Sequence, residues 1–238
     1  MKSQLFILSK MTLISLFIAG CGGGSNSNTP SNTTKYDLAQ YVVPSESQTN
    51  IYEETSYEKE NGAQDFTVTN QSTYNEKYDI NGSLIHISAD GEMSESLDIE
   101  EKKIIRTFID DNITMESLRS AMINDAVVDT NITLTQDDIE LDTNMVCKLT
   151  KHLDEKKVKF TTYKDVLFVD CTQSSEKKSI TVSGLTITAS ANGTVQSYFA
   201  KDIGLISSTD SICIDTEFHG VKDKSCYKDE SNLITTVK

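Results

Sequence analysis

Tryptophan is absent, and the 238 residues hold two prolines and three histidines. With so little proline and nine tyrosines, this is not the composition of a disordered chain. The histidines, His86, His152 and His219, lie far apart and form neither a catalytic triad nor a zinc-ligand set. His86 alternates with Ile85 and Ile87, which places it on a strand surface, and His219 reads as a turn residue. No Gly-x-Ser-x-Gly elbow, phosphate-binding loop, dinucleotide fingerprint or His-Glu-x-x-His sequence is present. No catalytic residue, metal or cofactor is therefore assigned. Positive charge is also scarce: 22 Lys and Arg stand against 36 Asp and Glu, a formal charge of −14. Such a chain repels phosphate backbones, which excludes nucleic acid as a partner class.

What is present begins with a leader. Lys2 and Lys10 precede and flank the apolar run Met11–Ile18, and small residues follow at Ala19 and Gly20. That is the three-part pattern of a secretory signal, too short to span a bilayer. Ile18-Ala19-Gly20-Cys21 resembles the lipobox of bacterial lipoproteins. The resemblance implies lipidation of the Cys21 sulfur, cleavage before it and acylation, by palmitate or a similar chain, of the new amine. One acyl chain binds a membrane only marginally, whereas two or three hold effectively for good. Gly22 stands where an aspartate would retain such a protein in the inner membrane, so the expected address is the outer membrane, at its periplasmic face or the cell surface. Without Lys2 and Lys10 the balance becomes 20 against 36, or −16.

Gly22–Thr34 is all Gly, Ser, Asn, Thr and Pro. It has nothing to bury and reads as a flexible tether, averaging roughly 20 Å and reaching at most about 45 Å. The organisation is thus a signal peptide at 1–20, a lipidated cysteine and linker at 21–35, and one β-rich domain at 36–238.

Four cysteines remain after Cys21, and an even number in an exported chain reads as two disulfides. Cys213 and Cys226 are centred on His219-Gly220. Counted outward from a two-residue hairpin loop, they fall on a non-hydrogen-bonded pair with Cα atoms about 4.5 Å apart, within disulfide reach. Cys147 then pairs with Cys171 by elimination, around a turn expected at Asp154-Glu155-Lys156-Lys157.

Hairpin turns are the clearest signals beyond Tyr36. Asn61-Gly62, Asn81-Gly82, Asp90-Gly91 and Asn192-Gly193 are all turn dipeptides with strand-like flanks. A two-residue loop at Asn192-Gly193 would put Leu185, Ile187, Ala189, Tyr198 and Ala200 on one face, with Phe199 on the other. Gly184 would then mark a bulge that brings Ile180 and Val182 into phase. Residues 100–124 read equally as strand or helix: Ile104, Ile105, Phe108 and Ile109 fit a helical face, and Thr114 suits a cap before Met115, Leu118 and Met122. The expected fold is mainly β, an antiparallel, hairpin-rich curved sheet, partial barrel or sandwich with at most one or two short helices.

Asp110-Asp111-Asn112 and the acidic run Gln136–Asp142 supply oxygens but lack the ligand spacing and central glycine of a calcium loop, so they read as solvated edges. Asn112 and Asn131 each sit in an acidic-x-Asn-x-Thr sequence, which resembles the extended bacterial N-glycosylation acceptor. Tyr163–Cys171 and Ser197–Ile206 resemble a tail shared by many uncharacterised lipoproteins of Gram-negative bacteria, which pair an Asp-Val-Leu strand with a Tyr-Tyr/Phe-Ala-Lys-x-Ile/Val-Gly-Leu strand. The resemblance covers about residues 160–208 and implies antiparallel sheet. It brings no reaction and no functional residues. Asp202 departs from the glycine often found there. The leading expectation is a lipid-anchored, non-enzymatic envelope protein that binds a protein partner or an apolar ligand or supports the envelope. A carboxylate-based hydrolase and a calcium-dependent surface binder are the alternatives.

Overall fold

A computed structural model describes residues 34–109, 113–136, 139–182 and 185–238. Cys21, the tether before Thr34, Asn112 and Gly184 lie outside the described residues. The chain opens with β1 (Tyr36–Asp37) and α1 (Ala39–Val42), the one helix among the described residues. Two long strands follow, β2 (Gln48–Lys59) and β3 (Thr67–Asn81). Four short ones come next: β4 (Leu84–Ala89), β5 (Glu92–Ile99), β6 (Lys103–Phe108) and β7 (Ile113–Leu118). After β8 (Ser120–Ala121) come β9 (Ala126–Gln136), β10 (Ile139–Val158), β11 (Thr161–Ser175) and β12 (Lys178–Val182). The last three are β13 (Leu185–Ala200), β14 (Gly204–Phe218) and β15 (Val221–Val237).

The fold is mainly β and antiparallel. Twelve strands pair in the order β7-β6-β5-β4-β3-β2-β15-β14-β13-β11-β10-β9, with β12 added beside β13. The outer strands β7 and β9 come into contact, so the sheet curls into a nearly closed barrel. The chain enters at one end, here the near end, where β1 pairs with β8. There the Leu38 N–H donates to the Arg119 carbonyl (2.6 Å) and the Asp202 N–H to that of Gln40 (2.7 Å). Leu38, Tyr41 and Val43 bury against Ile87, Leu97, Ile104, Phe199 and Ile206, which makes the near half an apolar core.

Alternation assigns each side chain to one face of the wall. One row around the outside reads Lys148, Asp170, Gln196, Thr209, Glu230, Thr55, Gln71. A membrane-spanning barrel turns an apolar belt outward. This row presents charge and hydroxyl there.

The wall is not of even height. β3 pairs with β2 over Thr67–Tyr78 but with β4 only over Glu76–Asn81. The β4–β5 turn stops at Asp90, whose N–H donates to the Asn75 carbonyl (3.0 Å). Toward the far end, β3 therefore continues beyond its neighbour, and Thr67–Thr73 are exposed on both faces. The long strands on the opposite side, β13, β14 and β15, look across the interior over this low wall.

Both disulfides form across neighbouring strands: Cys147–Cys171 faces inward between β10 and β11, and Cys213–Cys226 faces outward between β14 and β15. His219 and Gly220, at φ of 49° and 80°, form the two-residue turn between Phe218 and Val221. The stretch that reads equally as strand or helix forms strands β6 and β7, with Ile104 and Met115 alternating inward on the sheet. Two local expectations need correction. Strand β10 runs straight through Asp154–Lys157, and the turn comes at Lys159, φ 51°. β12 and β13 pair antiparallel, with Val182 opposite Leu185, and the expected bulge at Gly184 lies outside the described residues. Asn192-Gly193 makes no turn, since β13 passes through it unbroken.

That last difference has a physical reason. β13 lies between β11 and β14, and its backbone groups are already committed to two partners. A Cβ on Gly193 would fall 2.7 Å from the Ser211 carbonyl oxygen, so glycine is kept here for the close approach of β14. Without a turn the parity never resets. Phe199 therefore points inward at 3% exposure, while Tyr198 faces out and stacks on Phe168 at 4.7 Å. Gly193→Ala is expected to lower unfolding free energy by about 1–3 kcal/mol in urea titrations. An unchanged midpoint would contradict this packing.

Candidate functional site

The inner face is layered. Within the near half a row of bulk, Leu167, Phe199, Leu233, Tyr52 and Tyr74, crosses the sheet, with the two tyrosine rings stacked at 5.1 Å. The next row reads Leu149, Val169, Ser197, Ser208, Ser231, Glu54, Ser72. The row after it reads Cys147, Cys171, Val195, Asp210, Asp229, Ser56, Asn70. Asp210 and Asp229 thus face each other directly across β14 and β15. Glu54, 4% exposed, lies one row away against Ser231, 1% exposed.

Burial, and then the facing charge of Asp229, push Asp210 up to about 7, with the Ser211 backbone N–H acting against the rise. Burial raises Asp229 as well, opposed by its hydrogen bond with Ser56. Lys228, next along β15, points outward, where its Nζ lies 4.3 Å from the Tyr57 ring and 2.7 Å from Glu230. The hydroxyls of Ser231 and Tyr74 are buried against each other.

A second polar group is sealed inside the near half. Arg106 on β6 forms an ion pair with Glu95 on β5, and the Tyr78 hydroxyl donates to Glu76 at 2.8 Å. Burial, then the Glu95 charge, bring Glu76 up to about 7, while Tyr78 and Arg106 pull the other way. A cavity of about 20 Å³, lined by Val42, Ile87, Leu97, Ile104, Arg106 and Phe199, adjoins it. That is room for about one water, not for an apolar ligand.

The third group closes the near end. Asp165, at φ 52°, accepts from the Tyr41 hydroxyl at 2.7 Å and lies 2.8 Å from His152 Nε2. Burial opposes its ionisation, but the Tyr41 and His152 hydrogen bonds and the Lys201 charge hold it below the usual carboxylate range. Tyr36 stacks on His152 at 5.2 Å. Asp202 takes φ 63°, the left-handed conformation that glycine adopts without strain. These contacts fasten the entering segment to the barrel.

No family model matches the chain, and no curated protein matches it. Among solved structures it is similar to OmpTdeltaL8, a loop L8 deletion mutant of OmpT, an outer membrane protein of Vibrio cholerae. The likeness is 8% in identity with a TM-score of 0.23, covering 78% of this chain and 99% of that one. So low a score carries nothing about function.

Of the residues singled out in sequence, His86 lies on the outer face of β4 and His219 in a turn. Asn131 is exposed on β9, where its side-chain oxygen lies 3.4 Å from Asn144 Nδ2. Asp142 accepts from Thr133 at 3.1 Å and pairs with Lys178 at 3.3 Å. Among the described residues no three His, Cys, Asp or Glu side chains converge closely enough to hold a metal ion. Sequence reading missed the Asp210–Asp229 pair although its signal was present: the register that joins Cys213 to Cys226 also joins these two, on the opposite face.

Both Glu76 and Asp210 titrate higher folded than unfolded, so the folded state holds the extra protons between about pH 4 and 7. Their contribution to stability is full below their unfolded values and is lost as pH rises toward 7. The melting temperature is expected to be several degrees higher at pH 5 than at pH 8, and the Glu76→Gln/Asp210→Asn variant to flatten that slope. Equal slopes in parent and variant would refute the assignment.

Proposed function

We propose that this protein is a lipid-anchored envelope protein of a Gram-negative bacterium, tethered through Cys21 to the outer membrane, whose barrel binds a partner and does no catalysis. The lipobox leader supports the anchor, and the charged exterior agrees with a barrel that stands beside a membrane and not within it. The observation that carries the binding role is the layering of the interior. The entering chain is fastened to the near end, while the acidic row lies beyond the core, toward the far end and over the low β4–β7 wall. The tether therefore leaves from one end and the acidic face turns away from it. A filled near half favours a protein or other charged partner over an apolar ligand. A carboxylate-based hydrolase is the second reading, favoured by the facing Asp210–Asp229 pair.

Replacing Cys21 with serine tests the address. In a Gram-negative host, Cys21→Ser is expected to move the protein from the membrane to the soluble fraction with an unchanged melting temperature. Retention of the variant in outer-membrane fractions would overturn the anchor.

A further inference from the structure

We propose that the tip of the β10–β11 hairpin, Phe160 with Lys157, Lys159 and Lys164 around it, rests on the anionic lipid surface to which the chain is tethered. This rests on the anchored reading given above and adds a second, noncovalent contact. The turn itself is the first observation. At Asp90-Gly91 and His219-Gly220 the first residue takes φ 49° and a glycine follows. Lys159 takes φ 51°, but Phe160 stands where the glycine would. Tight turns favour small or polar residues at these positions, so turn chemistry does not account for a lysine and a phenylalanine. Phe160 is 97% exposed, more than any other large apolar side chain among the described residues.

Charge is the second observation. Residues 151–164 hold Lys151, Lys156, Lys157, Lys159 and Lys164 against Asp154 and Glu155, a local excess of positive charge in a strongly acidic chain. Lys159 pairs with Glu53, and Lys156 lies 4.0 Å from the Tyr198 ring, so these two hold the hairpin against its neighbours. Lys151, Lys157 and Lys164 are exposed and form no ion pair among the described residues. Position is the third. Tyr36 stacks on His152 at the base of the hairpin, and the Tyr41 hydroxyl donates to Asp165 on its other strand. The segment that follows the tether is therefore fastened beside this hairpin. An apolar ring among flexible ammonium groups suits a headgroup layer: the ring enters it, the lysine stems lie along it, and the ammonium groups stay at the lipid phosphates. The rest of the barrel is acidic and is repelled by the same phosphates, so this contact also sets which way the barrel faces.

The chain has no tryptophan, so Phe160→Trp places its only indole at the tip. The mature chain from Gly22 onward, carrying this substitution, is held by an N-terminal histidine tag on vesicles that contain nickel-chelating lipid. Attachment then does not depend on Cys21. In vesicles of phosphatidylcholine and phosphatidylglycerol at low salt, the emission is expected to move to shorter wavelength. Brominated acyl chains should quench it at least twofold more than in phosphatidylcholine alone, and high salt should reverse both effects. Adding Lys157→Glu/Lys164→Glu should abolish them while leaving the melting temperature unchanged. Emission typical of an indole in water on the anionic vesicles would overturn the proposal. Equal quenching in neutral vesicles, or in the charge-reversed variant, would overturn it as well. None of those results touches the membrane anchor, which the Cys21 variant tests separately.

Discussion

A single ladder of backbone hydrogen bonds, running from β7 to β9 through ten strands between them, decides where every side chain in this barrel points. Because side chains alternate along each strand, the register fixes whole rows at once. A row of Lys148, Asp170, Gln196, Thr209 and Glu230 outside implies the neighbouring row of Cys147, Cys171, Val195, Asp210 and Asp229 inside. A shift of one residue between β14 and β15 would part Asp210 from Asp229 and turn one of them to the outer face.

That constraint divides the interior. In the near half the inward rows are apolar, and Leu38, Tyr41 and Val43 complete them from the entering segment. Burying these groups drives folding, at roughly 25 cal/mol per Å² of apolar surface removed from water. Toward the far end the rows turn to serine, glutamate and aspartate, which add little to a hydrophobic core and, in the case of Asp210, titrate far from their ordinary range. The Cys147–Cys171 bridge lies on the same inner row as the acid pair, bracing the sheet where apolar packing gives out. A structure that carries polar groups at a cost inside its own wall keeps them for something other than stability.

Much of the architecture was legible from local signals. Turn dipeptides at Asn61-Gly62, Asn81-Gly82 and Asp90-Gly91 lie at real turns, and His219-Gly220 sets the register of the final hairpin. Asn192-Gly193 misleads because the same dipeptide that suits a turn also suits a crowded central strand. What decides between them is the presence of β11 and β14 on either side, which no local window contains. Residues 103–118 were ambiguous for a related reason: short strands with bulky inward residues carry too few alternations to separate two periods. The pairing of Arg106 with Glu95 depends on both strands turning those positions inward, and the near-end group joins Tyr41 of the entering segment to Asp165, 124 residues on, beside His152 in the β10–β11 hairpin. The acid pair was within reach of the hairpin arithmetic, but its meaning depends on which face is the inside.

The central claim is that Asp210 and Asp229 confront each other on the inner face with no described lysine or arginine paired to either. Titrating the side-chain carboxyl carbons by ¹³C NMR measures this directly. The account requires Asp210 to lose its proton near pH 7 and Asp229 to do so above the ordinary aspartate range, with each resonance sensing the other's step. Two independent titrations at the usual value of about 3.9 would contradict it.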